Sequence, residues 1–207
     1  MAFLLSAVVT IFIVVDPIAL TPLFIGLTGH MTEDQRRHLA YRSVTVAGAI
    51  MLVFVIVGRP LLAALGISLD AFYIAGGALL FLIAIDLLFA RPSRTRETPE
   101  EEAEGRTAAD ISVFPLAIPI ISGPGAIATI VLFMSQAGTN LFKIGSVLVA
   151  LLIALVASLL VMRMSGRIML LLRTTGIAVI GRVMGLILAA LAAQFVLNGI
   201  HAFMHRP

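Results

Sequence analysis

Cysteine is absent from the 207-residue chain, so neither disulfides nor thiolate metal sites can carry structure or chemistry. Charge is scarce: Asp, Glu, Lys and Arg make up 12% of the residues, against about 25% in a soluble protein. Alternating segments of about ten residues, the mark of a membrane barrel, are missing as well. So are a phosphate-binding glycine loop, a nucleophile with its base, and a zinc motif; the chain is therefore not expected to be an enzyme or to carry a cofactor. The apolar N-terminal stretch has no basic n-region or small-residue cleavage site, which predicts a retained first span rather than a signal peptide. A formal net charge of +3 could suit nucleic acid. The basic residues, however, sit in short connections between apolar runs, so no nucleic-acid partner is expected.

What the chain does have is apolar sequence, 60% of its residues. Continuous apolar runs of about 20 residues recur along it, the length at which a helix matches a hydrocarbon core of roughly 30 Å. The fold class expected is therefore all-α, a polytopic membrane protein with spans near 3–27, 39–57, 67–89, 111–136, 142–164 and 177–203. One stretch, 91–110, is polar and mixes Arg, Pro, Glu and Thr, as flexible linkers do. It separates a first three-span unit, 1–90, from a second, 111–207. Ten basic residues fall on one side of such a bundle: Arg36, Arg37, Arg42, Arg91, Arg94, Arg96, Arg106, Arg163, Arg167 and Arg173. Arg59, Lys143 and Arg206 fall on the other, so the linker is expected in the cytoplasm and both termini outside.

The halves resemble each other. Pro119 and Pro124 repeat the spacing of Pro17 and Pro22, and Gly66, Gly77 and Asp86 of the third span are matched by Gly176, Gly185 and Gln194 of the sixth. Three spans per half is an odd number, so the second half would be inverted relative to the first, the plan of many secondary transporters. The proline pairs also predict that the first and fourth spans are broken at mid-membrane, because proline removes a backbone donor and clashes with the preceding turn. Broken backbone survives in lipid only where protein or a water-lined cavity satisfies it. Thr21-Pro22 and Gly123-Pro124 both read as helix starts, a capping residue followed by proline at the first helical position. Two such N-termini facing each other would offer positive dipole ends to a carboxylate.

Asp16 is the deepest acid on this reading, and its burial near the bilayer centre would cost roughly 2.5–3.5 kcal/mol, which favours a role or a partner. That role is either to stabilise the break or to bind an amine or carry a proton. Asp86 and Arg182 lie near the cytoplasmic ends of their spans and could pair. Gln194 and Asn198 share one face of the sixth span, where helix cross-linking is the expected role. Gly181 with Gly185, and more loosely Gly76 with Gly77, suggest backbone-to-backbone packing. The four histidines show no converging acidic set, so no metal site is expected.

The run DPIALTPLF from Asp16, the stretch GISLDAFYIAGGALLFLIAIDLL from Gly66 and PLAIPIISGPGAI from Pro115 resemble the MarC family of inner-membrane proteins, over essentially the entire chain. The family belongs with the LysE-type exporters, and the resemblance implies a secondary transporter or exporter of small neutral amino acids such as alanine or glycine. Carried over by position, it points to Asp16, Pro17, Thr21 and Pro22 in the first span and to Pro119, Ser122, Gly123, Pro124 and Gly125 in the fourth. Where the family usually has glycine this chain has Ala19. The partners this implies are a neutral amino acid, membrane lipid and a coupling ion, proton or sodium, with a homo-oligomer left open. The alternative is a membrane protein without transport activity that acts through a structural or regulatory partner.

Overall fold

The computed structural model describes residues 1–89 and 112–205; the expected linker, 91–110, lies outside them. Eight helical segments occur in order: α1 (Ala2–Val15), α2 (Leu20–Thr28), α3 (Glu33–Ala64), α4 (Leu69–Leu88), the π-helical α5 (Ser112–Ile121), α6 (Pro124–Ala137), α7 (Leu141–Arg163) and α8 (Ser165–Met204). No strand occurs among the described residues. Five passes are long and apolar enough to cross a membrane: α1 with α2, then α3, α4, α7 and α8. The sixth is composite, the shorter apolar α6 preceded by α5.

Caps set several boundaries beyond the apolar runs. Thr32 closes a capping box with Gln35, so α3 begins before its apolar stretch, with Glu33 and Asp34 in the first turn where the helix dipole favours acids. Ser68 and Asn140 cap α4 and α7 by accepting from Ala71 and Lys143. The basic connection expected before the sixth span is helical instead. It runs from Ser165 to a kink at Arg173, whose φ of 51° and ψ of 179° break the helix before it continues to Met204.

Packing is antiparallel and closest between α4 and α8. A Cβ at Gly77 would stand 2.9 Å from the Ala192 carbonyl oxygen and 3.0 Å from the Val196 nitrogen. One at Gly185 would stand 3.0 Å from both the Ala84 carbonyl oxygen and the Leu88 nitrogen. The two sets are reciprocal: Gly185 lies 108 positions after Gly77, and its partners Ala84 and Leu88 lie 108 positions before Ala192 and Val196. Gly77 and Gly185 thus carry the expected backbone approach, whereas Gly76 and Gly181 face open space. Two further pairs of contacts match in the same way: α1 lies on α7 as α5 lies on α3, and α2 on α8 as α6 on α4. Phe133 of α6 meets Phe3 of α1 and Phe195 of α8 edge-on, at 5.6 and 5.8 Å, and so joins three passes in one core.

Six of the hydroxyls inside the helices are satisfied locally. Thr10, Thr28, Ser43, Thr129, Ser146 and Ser158 each donate to the carbonyl four residues earlier. Large apolar side chains such as Leu52, Ile56, Leu152, Leu186 and Leu197 face outward, as a lipid-facing surface requires.

Candidate functional site

Both proline-bearing passes are interrupted. In the first, α1 ends at Val15, and Asp16 turns the chain with φ 50° and ψ 65°, a left-handed conformation that aspartate tolerates better than most residues. Its backbone N–H still bonds Phe12, and its Oδ1 accepts the Ala19 N–H at 3.3 Å. Asp16 therefore caps the turn Pro17 begins, and that turn leads into α2 at Leu20. This corrects the expected start at Thr21-Pro22. Thr21 and Pro22 lie inside the first turn of α2, where a missing N–H costs little because those donors have no partner within the helix.

In the fourth pass the segment containing Pro115 and Pro119 widens into a π-helix. Proline does not fit a regular α-helical ladder, and over this proline-bearing stretch the winding is wide instead. The Ser122 N–H and hydroxyl both donate to the Ala117 carbonyl, at 2.9 and 2.7 Å, and close the segment. Gly123 then caps α6 with Pro124 at its first position, as the sequence predicts. Gly123 has φ −67° and ψ 170°, extended backbone that any residue adopts. The tight contact falls instead on Gly125, where a Cβ would run into the Ile83 side chain and come within 3.4 Å of Val14 Cγ1. The two interruptions therefore abut through Val14 and Gly125, with α4 alongside.

Residues 1–204 match the sequence pattern of the MarC family integral membrane proteins. The chain belongs to the MarC family. Relatives span it almost end to end. MarC-family resemblance reaches 35% identity over 198 residues with the membrane protein MJ0972 of Methanocaldococcus jannaschii, covering 96% of this chain and 86% of that protein. It is 37% over 194 residues with PYRAB13050 of Pyrococcus abyssi, covering 93% and 91%. With the inner membrane protein YhgN of Escherichia coli it is 32% over 202 residues, covering 97% and 98%. No solved structure matches. The chain is thus an integral membrane protein.

Within this MarC-family bundle the site residues divide. Asp16, Pro17, Thr21, Ser122, Gly123 and Gly125 are buried, Asp16 to 1% exposure. Pro22 and Pro124 are exposed, so they shape the backbone rather than fill the junction. Pro119 lies on α5. Thr21 Oγ1 is buried without a hydrogen bond, unlike the other helical threonines of the core, as is Ser135 Oγ on α6. Sequence reasoning missed Val14 and Ile83, since an apolar residue in an apolar run carries no signal of its own. Gln194 and Asn198 do not cross-link helices: the Gln194 amide donates to Asn198 Oδ1 at 2.8 Å along the exposed face of α8. No group of three or more His, Asp or Glu among the described residues could hold a metal ion.

Proposed function

We propose that this protein is a secondary transporter or exporter of small neutral amino acids, working by alternating access between two inverted three-span halves. The observation that carries the reading is the meeting of the two interrupted passes at Val14 and Gly125, deep in the bundle. Interrupted backbone inside a membrane helix is sustained where protein or a cavity satisfies it, and half-helix N-termini suit a carboxylate. On this reading Asp16 receives the ammonium of a zwitterion and Thr21 offers its buried hydroxyl, with no chemical step beyond binding and release. The reciprocal glycine contacts of α4 and α8 support the inverted halves, because an isologous pair repeats each contact with roles exchanged. A proton or sodium ion would couple the cycle.

The test is flux of labelled alanine, glycine and serine in reconstituted vesicles. Transport of at least one, abolished by Asp16→Asn, is expected. The rival, a membrane protein acting through a structural or regulatory partner, draws on the burial of Asp16, Thr21 and Ser122, which leaves the junction closed. Absence of flux for all three substrates would favour it. Orientation has its own check: a reporter fused after Pro207 should be active only outside, and one placed within 91–110 only in the cytoplasm.

A further inference from the structure

Where the first turn of α3 meets the joint between α7 and α8, the structure opens a cavity of about 640 Å³. Arg36 and Arg37 line it from α3, and Arg163 and Arg167 from the joint; among the described residues Glu33 is the one acid in the lining. Its volume falls within the roughly 300–1,000 Å³ of small-ligand sites. We propose that this cavity binds the phosphate headgroup of an anionic phospholipid. The site is separate from the junction of the broken passes, and the inference does not depend on the transport reading.

The arginines divide into two pairs. Arg36 is held in place: its Nε donates to the Thr28 carbonyl at 3.0 Å and its Nη1 lies 3.8 Å from Glu33 Oε1. Arg163 is held too, donating to the Tyr41 hydroxyl at 2.9 Å with its guanidinium 5.6 Å from the centre of that ring. Arg37 and Arg167, both exposed, make no ion pair or hydrogen bond to the described residues. Four guanidinium groups against one carboxylate leave an excess of forked donors, and a phosphate oxygen set is the anion whose geometry those forks match. The N-terminus of α3 adds its positive dipole end to the same wall.

Lipid rather than free phosphate is indicated by the rest of the lining. Phe24 and Met162, each 1% exposed, floor the cavity. Leu160 and Met164, 51% and 46% exposed, form an outer apolar wall continuous with the lipid-facing side of α7. Further along α8, before the Arg173 kink, Leu170 and Leu171 are each 83% exposed. Arginines beside exposed apolar side chains at a helix end are what a headgroup with attached acyl chains requires, and basic pockets between membrane helices take such headgroups.

The experiment is lipid titration of the full chain in neutral detergent, read by native mass spectrometry and by the unfolding midpoint, for wild type and for Arg37→Gln with Arg167→Gln. The probes are phosphatidylglycerol, phosphatidylcholine and inorganic phosphate. Expected is retention of phosphatidylglycerol but not phosphatidylcholine, weakened about tenfold or more in the double variant, with two surface cations removed. The variant's midpoint without added lipid should match wild type, since both side chains are exposed. Arg37→Lys with Arg167→Lys, which keeps the charge, should retain part of the affinity. Equal retention of phosphatidylglycerol by wild type and double variant would overturn the proposal. So would inorganic phosphate binding as tightly as the lipid, which would mark a free-anion site, or equal retention of phosphatidylcholine, which would mark a merely apolar groove.

Discussion

In the first broken pass the interruption is held by a carboxylate in a left-handed turn, whereas in the fourth it is made of widened backbone closed by the Ser122 N–H and hydroxyl. Asp16 supplies both the left-handed turn and the acceptor that caps the turn leading into α2, with ordinary α-helix on either side. In the fourth pass the one anchoring side chain described is the neutral Ser122 hydroxyl. It winds wide over Ser112–Ile121, closes on the Ala117 carbonyl and restarts from Gly123-Pro124. The two breaks should therefore fail in opposite ways: the first by removal of a group, the second by addition of one.

The largest effect is expected at the backbone break. Gly125→Val would drive a branched side chain into Ile83 and Val14, and overpacking of this kind costs about 1–3 kcal/mol. Thermal unfolding in detergent should show that loss, and transport should be abolished. Wild-type stability in this variant would show that the two passes do not abut. Next comes Asp16. Asn tolerates the same left-handed backbone and keeps the Oδ1 acceptor, so Asp16→Asn should fold nearly as well as wild type yet lose flux. Asp16→Ala should also lose about 1 kcal/mol of stability through the missing cap. Normal alanine and glycine flux in Asp16→Asn would leave the carboxylate a purely structural part.

Thr21→Val sharpens the comparison further. Its hydroxyl is buried without a hydrogen bond, so replacing it by a methyl group should leave stability unchanged or slightly higher while weakening substrate affinity. A clear fall in unfolding midpoint would mean the hydroxyl has a structural partner. Smallest is Gln194→Leu. That residue bonds only along its own exposed helix face, so the change should stay within about 0.5 kcal/mol and spare transport.

The passes themselves were legible because apolar length is a strong signal, and the breaks because proline and glycine disturb a helix wherever they fall. Less legible was which residue starts the second half-helix. Asp16-Pro17 and Thr21-Pro22 have the same local grammar, and only the left-handed turn at Asp16 decides between them. The helical stretch from Ser165 to the Arg173 kink was hidden for a different reason: its arginines read as a connection, while propensity and capping alone do not reveal a helix without a clean apolar face. Gly77 and Gly185 were visible as small residues, but their reciprocal approach became apparent only with both helices in place.

The hydroxyls that bond back within their own helices bear on how the protein is made. Ser43, Ser146 and Ser158 enter the bilayer already satisfied, so the uninterrupted spans that carry them can leave the insertion machinery one at a time without waiting for a neighbour. The π-wound turn and the Asp16 junction have no such independence, because they are buried only once α3 has closed on α5 and α6, and α7 on α1. During biogenesis the uninterrupted spans would thus form a scaffold first, and the two interrupted ones would be the last to settle.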